Sequence, residues 1–413
     1  MRVLVLSQHY WPESFRINEV VESLQQVGCS VSVLTGQPNY PDGFVFAGYR
    51  AGACGPQRHA AGYTIYRVPL APRGKGTALR LAANYLSFLA SACVLGPWLL
   101  RGQRFDVVFV YGTSPILQAV AGVVLKRIKG AALVTWVQDL WPQSLAVTGF
   151  ISNRRLLAVV EQAVRWIYRR SDLLLVQSQA FTPDVRALAG ETRVEYHPNP
   201  GEAAFGQATP QDRACFALAP GFNVVFAGNL GTVQALDTIL DAAQLLQAQR
   251  DVHLVLIGSG SRSEWLREEV ARRRLDNVSL PGRFTLQNMP SIFAQASALL
   301  VSLARGPILS QTVPSKIQAY LAAARPIIAS LDGEGARVVT EAGAGVACAA
   351  ENAEALAEAV LSLRASSAGE LKRMGEAGRR YYLQHFEPEM LAGRLVEHFK
   401  SVAATRRPQA HAR

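Results

Sequence analysis

Residues 2–35, RVLVLSQHYWPESFRINEVVESLQQVGCSVSVLT, decide the fold. The opening RVLVLS is an apolar run of strand length, QHYWPES is a polar and aromatic loop, and over 15–27 the apolar residues Phe15, Ile17, Val20, Val21, Leu24 and Val27 recur at near-helical spacing. SVSVLT then returns to a β pattern, so the segment reads as strand, helix, strand. Further apolar β runs follow at 64–68, 106–110, 132–137, 173–176 and 193–196, separated by helix-length segments. Strands that are nearly continuous in apolar residues and alternate with helices imply a parallel sheet covered on both faces. The pattern restarts after YHPNPGEAAF, where NVVFAGN, VHLVLIGSG, NVSLPG, ALLVSL and PIIAS are strands of a second sheet with helices at 234–247 and 263–274 between them. The chain therefore reads as α/β with two doubly wound halves hinged near 197–222.

Length and composition agree. The 413 residues, 49% hydrophobic and 18% charged, exceed what one core usually organises. The expected division is a first domain at 1–200, a second at 201–385, and a helix with a frayed tail at 386–413. The five cysteines are scattered without a C-x-x-C pair or a histidine at metal spacing, which points to a reduced, cytoplasmic chain and to no metal site. The N-terminal apolar run is too short for a signal-peptide core.

The net charge of +11 is unevenly placed: residues 1–195 hold 20 Lys and Arg against 11 Asp and Glu, and residues 196–413 hold 22 against 20. No basic stripe interleaved with aromatics accompanies the excess, which argues against nucleic acid. An anionic membrane surface or a lipid-linked diphosphate fits better, at roughly 1 kcal/mol per Lys or Arg near the headgroups. Residues 81–100 lack charge over a length that could span a bilayer. A crossing there would split one sheet across the membrane, so a buried or interfacial helix is expected.

In open α/β sheets ligands bind beyond the carboxyl ends of the strands. SQHYWPESFRIN, after the first strand, brings Trp11, Glu13, Arg16 and Asn18 to the start of a helix, where Glu13 could equally serve only to complement the helix dipole. TWVQDLWPQS sets Gln138, Asp139 and Trp141 directly after a buried strand, with a helix cap as the alternative for Asp139. In the second half, Gly228, Asn229, Leu230 and Gly231 lie between strand and helix, where backbone amides can approach a diphosphate or the glycines can simply ease packing. LIGSG, with Gly258, lacks the third glycine of a dinucleotide fingerprint. In QTVPSKIQAYLAAARPII, Pro314 reads as the first helical residue, leaving free amides at Ser315 and Lys316 beside a cation, with a solvated face as the alternative for Lys316 and a helix cap for Ser315. Glu334, in SLDGEGARV, reads as a loop acid able to accept hydrogen bonds from sugar or ribose hydroxyls, or as a solvated one.

These loops together, SQHYWPESFRINEV, LTGQPNYPDG, TSPI, VQDLWPQS, YHPNPGE, AGNLGTVQALDT, LPGRF and VPSKIQAYLAAARPI, cover almost the whole chain. The chain resembles the retaining glycosyltransferases of family 4, whose GT-B fold sets two Rossmann-like doubly wound domains about a central cleft. The likeness is nearest to the bacterial subgroup that builds O-antigen and capsule, including N-acetyl-L-fucosamine transferases. The resemblance implies transfer of a hexosyl unit, such as an amino sugar, from a nucleotide sugar, UDP-linked, to a polyprenyl-diphosphate-linked acceptor, by an enzyme peripheral to the cytoplasmic face of the inner membrane. It implies no metal and no enzymic nucleophile. Acceptor contacts would fall to Trp11, Arg16, Asn18 and Trp141, and catalysis to Glu13, Gln138 and Asp139. Donor contacts would fall to Gly228, Asn229, Leu230, Gly231, Gly258, Arg283, Ser315, Lys316, Gln318 and Glu334. The chain departs from the family pattern in three places. Gln138 stands where the family has His, Asn229 and Gln234 where it has Arg and Lys, and Gln311 and Ala319 where it has paired glutamates. A sugar-nucleotide 2-epimerase and a non-catalytic assembly subunit of the same fold are the alternatives.

Overall fold

A computed structural model describes residues 1–147, 153–202 and 216–406. Much of the expected hinge, and the tail beyond 406, lie outside the described residues. The chain forms two compact units, Met1–Pro198 with the segment from Leu391 onward, and Asn199–Met390.

The first unit is built on β1 (Arg2–Leu6), β2 (Ser30–Thr35), β3 (Gly55–Arg58), β4 (Thr64–Arg67), β5 (Val107–Gly112), β6 (Ala132–Val137), β7 (Leu173–Val176) and β8 (Val194–Tyr196), in the order β3-β4-β2-β1-β5-β6-β7-β8. Every pairing is parallel except β3 with β4. The alternation of side chains along each strand divides the core in two. Leu4, Leu6, Val108 and Val110 face Phe88 and Leu125 on one side, while Val3, Val5, Val107 and Phe109 face Ile17, Val21 and Phe399 on the other. The terminal helix Pro388–Arg406, set apart in the sequence reading, lays Leu395, Phe399 and Val402 into this second core.

The second unit carries β9 (Phe222–Asn229), β10 (Val252–Ser259), β11 (Val278–Gly282), β12 (Ala298–Ser302), β13 (Ile327–Ser330) and β14 (Gly345–Cys348), all parallel, in the order β11-β10-β9-β12-β13-β14. Sequence order reverses at β1 in the first sheet and at β9 in the second. Such a switch point leaves a crevice beyond the strand ends. In the second unit that crevice is a cavity.

Candidate functional site

The cavity has a volume of about 570 Å³ and lies wholly within the second unit. Its rim is Gly228 and Asn229 at the end of β9, Gly258 and Ser259 at the end of β10, and Ser315 and Lys316 at the start of the helix Ser315–Ala322. Two of these positions require glycine. Gly228 has φ +140, and a Cβ there would lie 2.5 Å from Lys316 Cε. Gly258 has φ +143, and a Cβ there would lie 1.8 Å from the Gly228 carbonyl oxygen. The two strand ends approach each other and the lysine stem too closely for any side chain.

Lys316 is the main charge of the site. Its Nζ donates to Gln234 Oε1 at 2.7 Å and sits 3.6 Å above the Phe226 ring; Glu202 also lines the cavity, but among the described residues no carboxylate lies in ion-pair range of the lysine. Burial disfavours the ammonium form and lowers its pKa to about 7. A ligand anion would supply the missing counter-charge. Arg283, just beyond β11, adds an exposed cation, and Phe284, Met289, Phe293 and Tyr320 line the cavity with apolar surface. Tyr320 Oη accepts the Ala227 N–H at 2.9 Å and so ties the end of β9 to the helix. Pro314, expected as the first helical residue, is the N-cap and supplies no side-chain bond. Ser315 is therefore the first residue of the helix, exposed at its open amide end.

Six of the ten expected donor residues meet here: Gly228, Asn229, Gly258, Arg283, Ser315 and Lys316. Four do not. Leu230 is buried in the core between the second sheet and its helices, and Gly231 caps the short turn Thr232–Gln234. Gln318 turns away and donates from Nε2 to the Asn199 carbonyl at 2.8 Å. Glu334 is no loop acid: it begins the helix Glu334–Glu341, and its two oxygens accept Arg337 Nε and Nη2 at 3.0 and 2.8 Å. The sequence reading missed Phe226 and Gln234 as the seat of Lys316.

In the first unit the loop after β1 is closed around Glu13. The helix begins only at Arg16, so Glu13 precedes it instead of lying in its first turn. Its Oε1 accepts the amides of Asn39 and Tyr40 at 2.6 and 2.7 Å, and its Oε2 accepts Tyr10 N–H at 3.2 Å and faces His9 Nδ1 at 3.0 Å. Glu13 is thus a buried clasp between the loops that follow β1 and β2. Asn18 closes the same loop, accepting from Trp11 N–H at 3.0 Å and donating to the Glu13 carbonyl at 2.7 Å. Arg16 pairs with Glu19 at 3.2 Å, and the half-buried Trp11 meets His59 edge-on. Arg67, which the sequence reading passed over, is buried and donates to the carbonyls of Gly36 and Trp11.

Beyond β6, Gln138 is buried, and Asp139 caps no helix. Asp139 Oδ2 accepts both the N–H and the Oγ–H of Ser114, at 2.8 and 2.9 Å, while Oδ1, on a half-buried side chain, accepts no hydrogen bond among the described residues. Trp141, expected at the acceptor, is 5% exposed in the core and donates from Nε1 to Ser114 Oγ at 2.9 Å. Among the described residues no cluster of three or more His, Cys, Asp or Glu is placed to hold a metal ion.

Two family models match the chain: a glycosyl transferase 4-like domain over residues 14–200 and a glycosyl transferases group 1 domain over residues 221–366. The chain is 25% identical over 327 residues to the probable glycosyltransferase WbjE of Pseudomonas aeruginosa, covering 75% of this chain and 78% of that one. It is also 25% identical over 343 residues to the putative colanic acid biosynthesis glycosyl transferase WcaI of Escherichia coli, covering 78% and 81%. Among solved structures, Anabaena Alr3699/HepE in complex with UDP aligns over 97% of this chain and 100% of that one at 14% identity, with a TM-score of 0.70. An alpha,alpha-trehalose-phosphate synthase (UDP-forming) from Burkholderia vietnamiensis aligns over 97% and 96% at 13% identity, with the same TM-score. The fold is GT-B, and the epimerase alternative finds no support in these matches.

Proposed function

We propose that this chain, a group 1 glycosyltransferase of bacterial polysaccharide biosynthesis, takes its donor as a UDP-sugar in the second unit and transfers the sugar with retention to a saccharide on polyprenyl diphosphate. The finer reading, an N-acetyl-L-fucosamine or related hexosyl transfer in O-antigen or capsule assembly, rests on the sequence resemblance. The observation that carries the donor assignment is Lys316, a buried cation on the wall of a nucleotide-sized cavity that forms no ion pair among the described residues. The HepE structure with UDP, of the same fold, supports the choice of nucleotide.

In this reading the uracil and ribose occupy the apolar part of the cavity and the diphosphate meets Lys316, Arg283 and the open amides at Ser315 and Lys316. As the anomeric C–O bond to the diphosphate breaks, negative charge grows on the leaving oxygen. Preorganised cations and amides stabilise that charge without reorganising at the moment of reaction. The acceptor oxygen forms the new bond on the face the diphosphate leaves, and its proton passes to the departing UDP oxygen. No metal enters this scheme. In the first unit, which takes the acceptor, Asp139 is the one expected catalytic carboxylate with an oxygen still open to a substrate hydroxyl, whereas Glu13 acts through the loop it clasps. An acceptor on a lipid diphosphate places the enzyme peripherally at the cytoplasmic face of the inner membrane.

Titration with UDP, GDP and dTDP tests the donor assignment. Micromolar binding of UDP that is lost in Lys316→Ala supports it, and equal binding of all three, or of none, overturns it.

A further inference from the structure

The helix Ala78–Leu99 buries only a narrow stripe against the first sheet: Leu81, Asn84, Phe88, Ala92 and Gly96. On its opposite side Leu79, Leu86, Val94 and Trp98 are exposed to 81%, 57%, 71% and 56%, with Ala83 and Ala90 completing an apolar stripe of helical period. A soluble helix ordinarily reverses this arrangement and turns polar residues outward. The neighbouring helices add apolar side chains among their exposed polar ones. Ala119–Lys129 packs beside Ala78–Leu99 and exposes Ile128, and Arg154–Tyr168 packs next to it and exposes Leu156, Val159 and Trp166. All three rest on one core, formed by Leu4, Val108, Val110 and Leu133, and so form one layer on one side of the sheet. On the other side the helices Arg16–Gln26 and Pro388–Arg406 expose no large apolar side chain among the described residues. Such a one-sided patch marks an interaction surface.

Charge identifies the partner. Residues 70–170 contain thirteen Lys and Arg but only three Asp and Glu, so nearly all the excess charge of the chain lies here. Lys75, Arg80, Arg101, Arg104, Arg127 and Arg155 are exposed, and none forms an ion pair among the described residues. Arg101 and Arg170 lie over the rings of Trp98 and Trp166, at 5.5 and 4.2 Å from the centroids. Tryptophans and apolar side chains bordered by cations match the boundary between acyl chains and anionic headgroups. A second copy of the chain would bring the same cations face to face, which like-charge repulsion opposes. Crossing the bilayer is excluded because β4 and β5, on either side of the first helix in sequence, belong to one sheet, joined through β2 and β1.

We infer that this three-helix layer is the surface by which the first unit docks on an anionic lipid bilayer, lying in the interface without spanning it. The inference deepens the transferase reading by naming the face that meets the membrane, and rests on that reading only for which membrane it is. The test uses the full chain and vesicles free of any polyprenyl lipid, either pure phosphatidylcholine or with about 30 mol% phosphatidylglycerol. The protein should cosediment with the anionic vesicles alone and be released as NaCl rises from about 0.05 to about 0.5 M. Leu86→Ser with Val94→Ser, and separately Arg101→Glu with Arg127→Glu and Arg155→Glu, should each weaken partitioning by about tenfold or more. A thermal melt and the UDP isotherm of the second unit monitor folding. Three results overturn the inference: no binding of wild type to anionic vesicles, wild-type partitioning in both variants, or a lipid-indifferent dimer that Leu86→Ser with Val94→Ser dissolves. Vesicle binding by a protein that takes no UDP supports the surface and sinks the donor reading instead.

Discussion

Replacing Lys316 by alanine removes the buried cation of the second unit's cavity and leaves the exposed Arg283. A hydrogen bond to a charged group contributes about 1.5–3 kcal/mol, so UDP affinity should fall by roughly 10- to 150-fold. The pH dependence separates this role from a general packing effect. In the free protein burial lowers the lysine to about pKa 7, so above that pH it is largely neutral. A diphosphate beside Nζ favours the ammonium form, and binding must then take up a proton. Wild-type affinity should weaken as pH rises above about 7, approaching tenfold per pH unit until the pKa of the complex is reached. Below that pH the lysine is already protonated and its contribution flattens. Calorimetry in two buffers of different ionisation enthalpy reads the uptake directly, at close to one proton near pH 8 as an order-of-magnitude expectation. Lys316→Arg, charged throughout, should bind with little pH dependence above neutrality. Equal affinity for wild type and Lys316→Ala, or a wild-type profile flat between about pH 7 and 9, would refute the assignment.

The same lysine makes the stability of the second unit pH-dependent. Its folded pKa is below the unfolded value, so stability should rise as pH increases from about 7 toward the ordinary lysine pKa, and Lys316→Met should abolish that rise in thermal melts. Gly258→Ala forces a Cβ to 1.8 Å from the Gly228 carbonyl at φ +143 and should lower the stability of the unit by more than about 3 kcal/mol, read as a drop of roughly 6–12 °C in Tm. An unchanged melt would show that the strand ends are less constrained than described. Glu13→Gln turns an amide NH2 toward groups that already donate to the carboxylate, and should cost the first unit about 1–3 kcal/mol while leaving the UDP isotherm intact. Glu334→Ala should change the donor KM by less than about twofold, since its carboxylate is held by Arg337. A large rise in KM would restore the hydroxyl-binding role read from sequence.

The fold was legible wherever strands were apolar throughout, as in β5 and β6, where every residue is buried. It was hidden where packing does not depend on apolar periodicity. GPQR, which forms β3, is an edge strand with alternating exposure and little to bury. The helix Ala368–His385 is polar over most of its length and buries only Gly375, Gly378 and Tyr382. Its close approach is made by backbone, since a Cβ on Gly375 would lie 2.1 Å from the Ala324 carbonyl oxygen. The one local signal for it, the Ser367 and Glu370 capping box, was present and overlooked. At the site, residues at strand ends were legible because an open α/β sheet directs them to the crevice. Residues one or two positions further on were not, because the chain there turns back to the core, as Leu230 does. The pairing of Lys316 with Gln234 joins residues 82 apart and leaves no local trace in the sequence.

The most direct test of the central claim is transfer itself. Purified protein is given labelled UDP-sugars, one at a time, with polyprenyl-diphosphate-linked saccharides extracted from bacterial membranes, and label in the lipid phase is measured beside released UDP. The account predicts that one UDP-sugar yields lipid-borne label and UDP in equal amounts, that the new linkage keeps the donor's anomeric configuration, and that Lys316→Ala loses most of this turnover. Conversion of a free UDP-sugar into another without acceptor, or an inverted linkage, would contradict it.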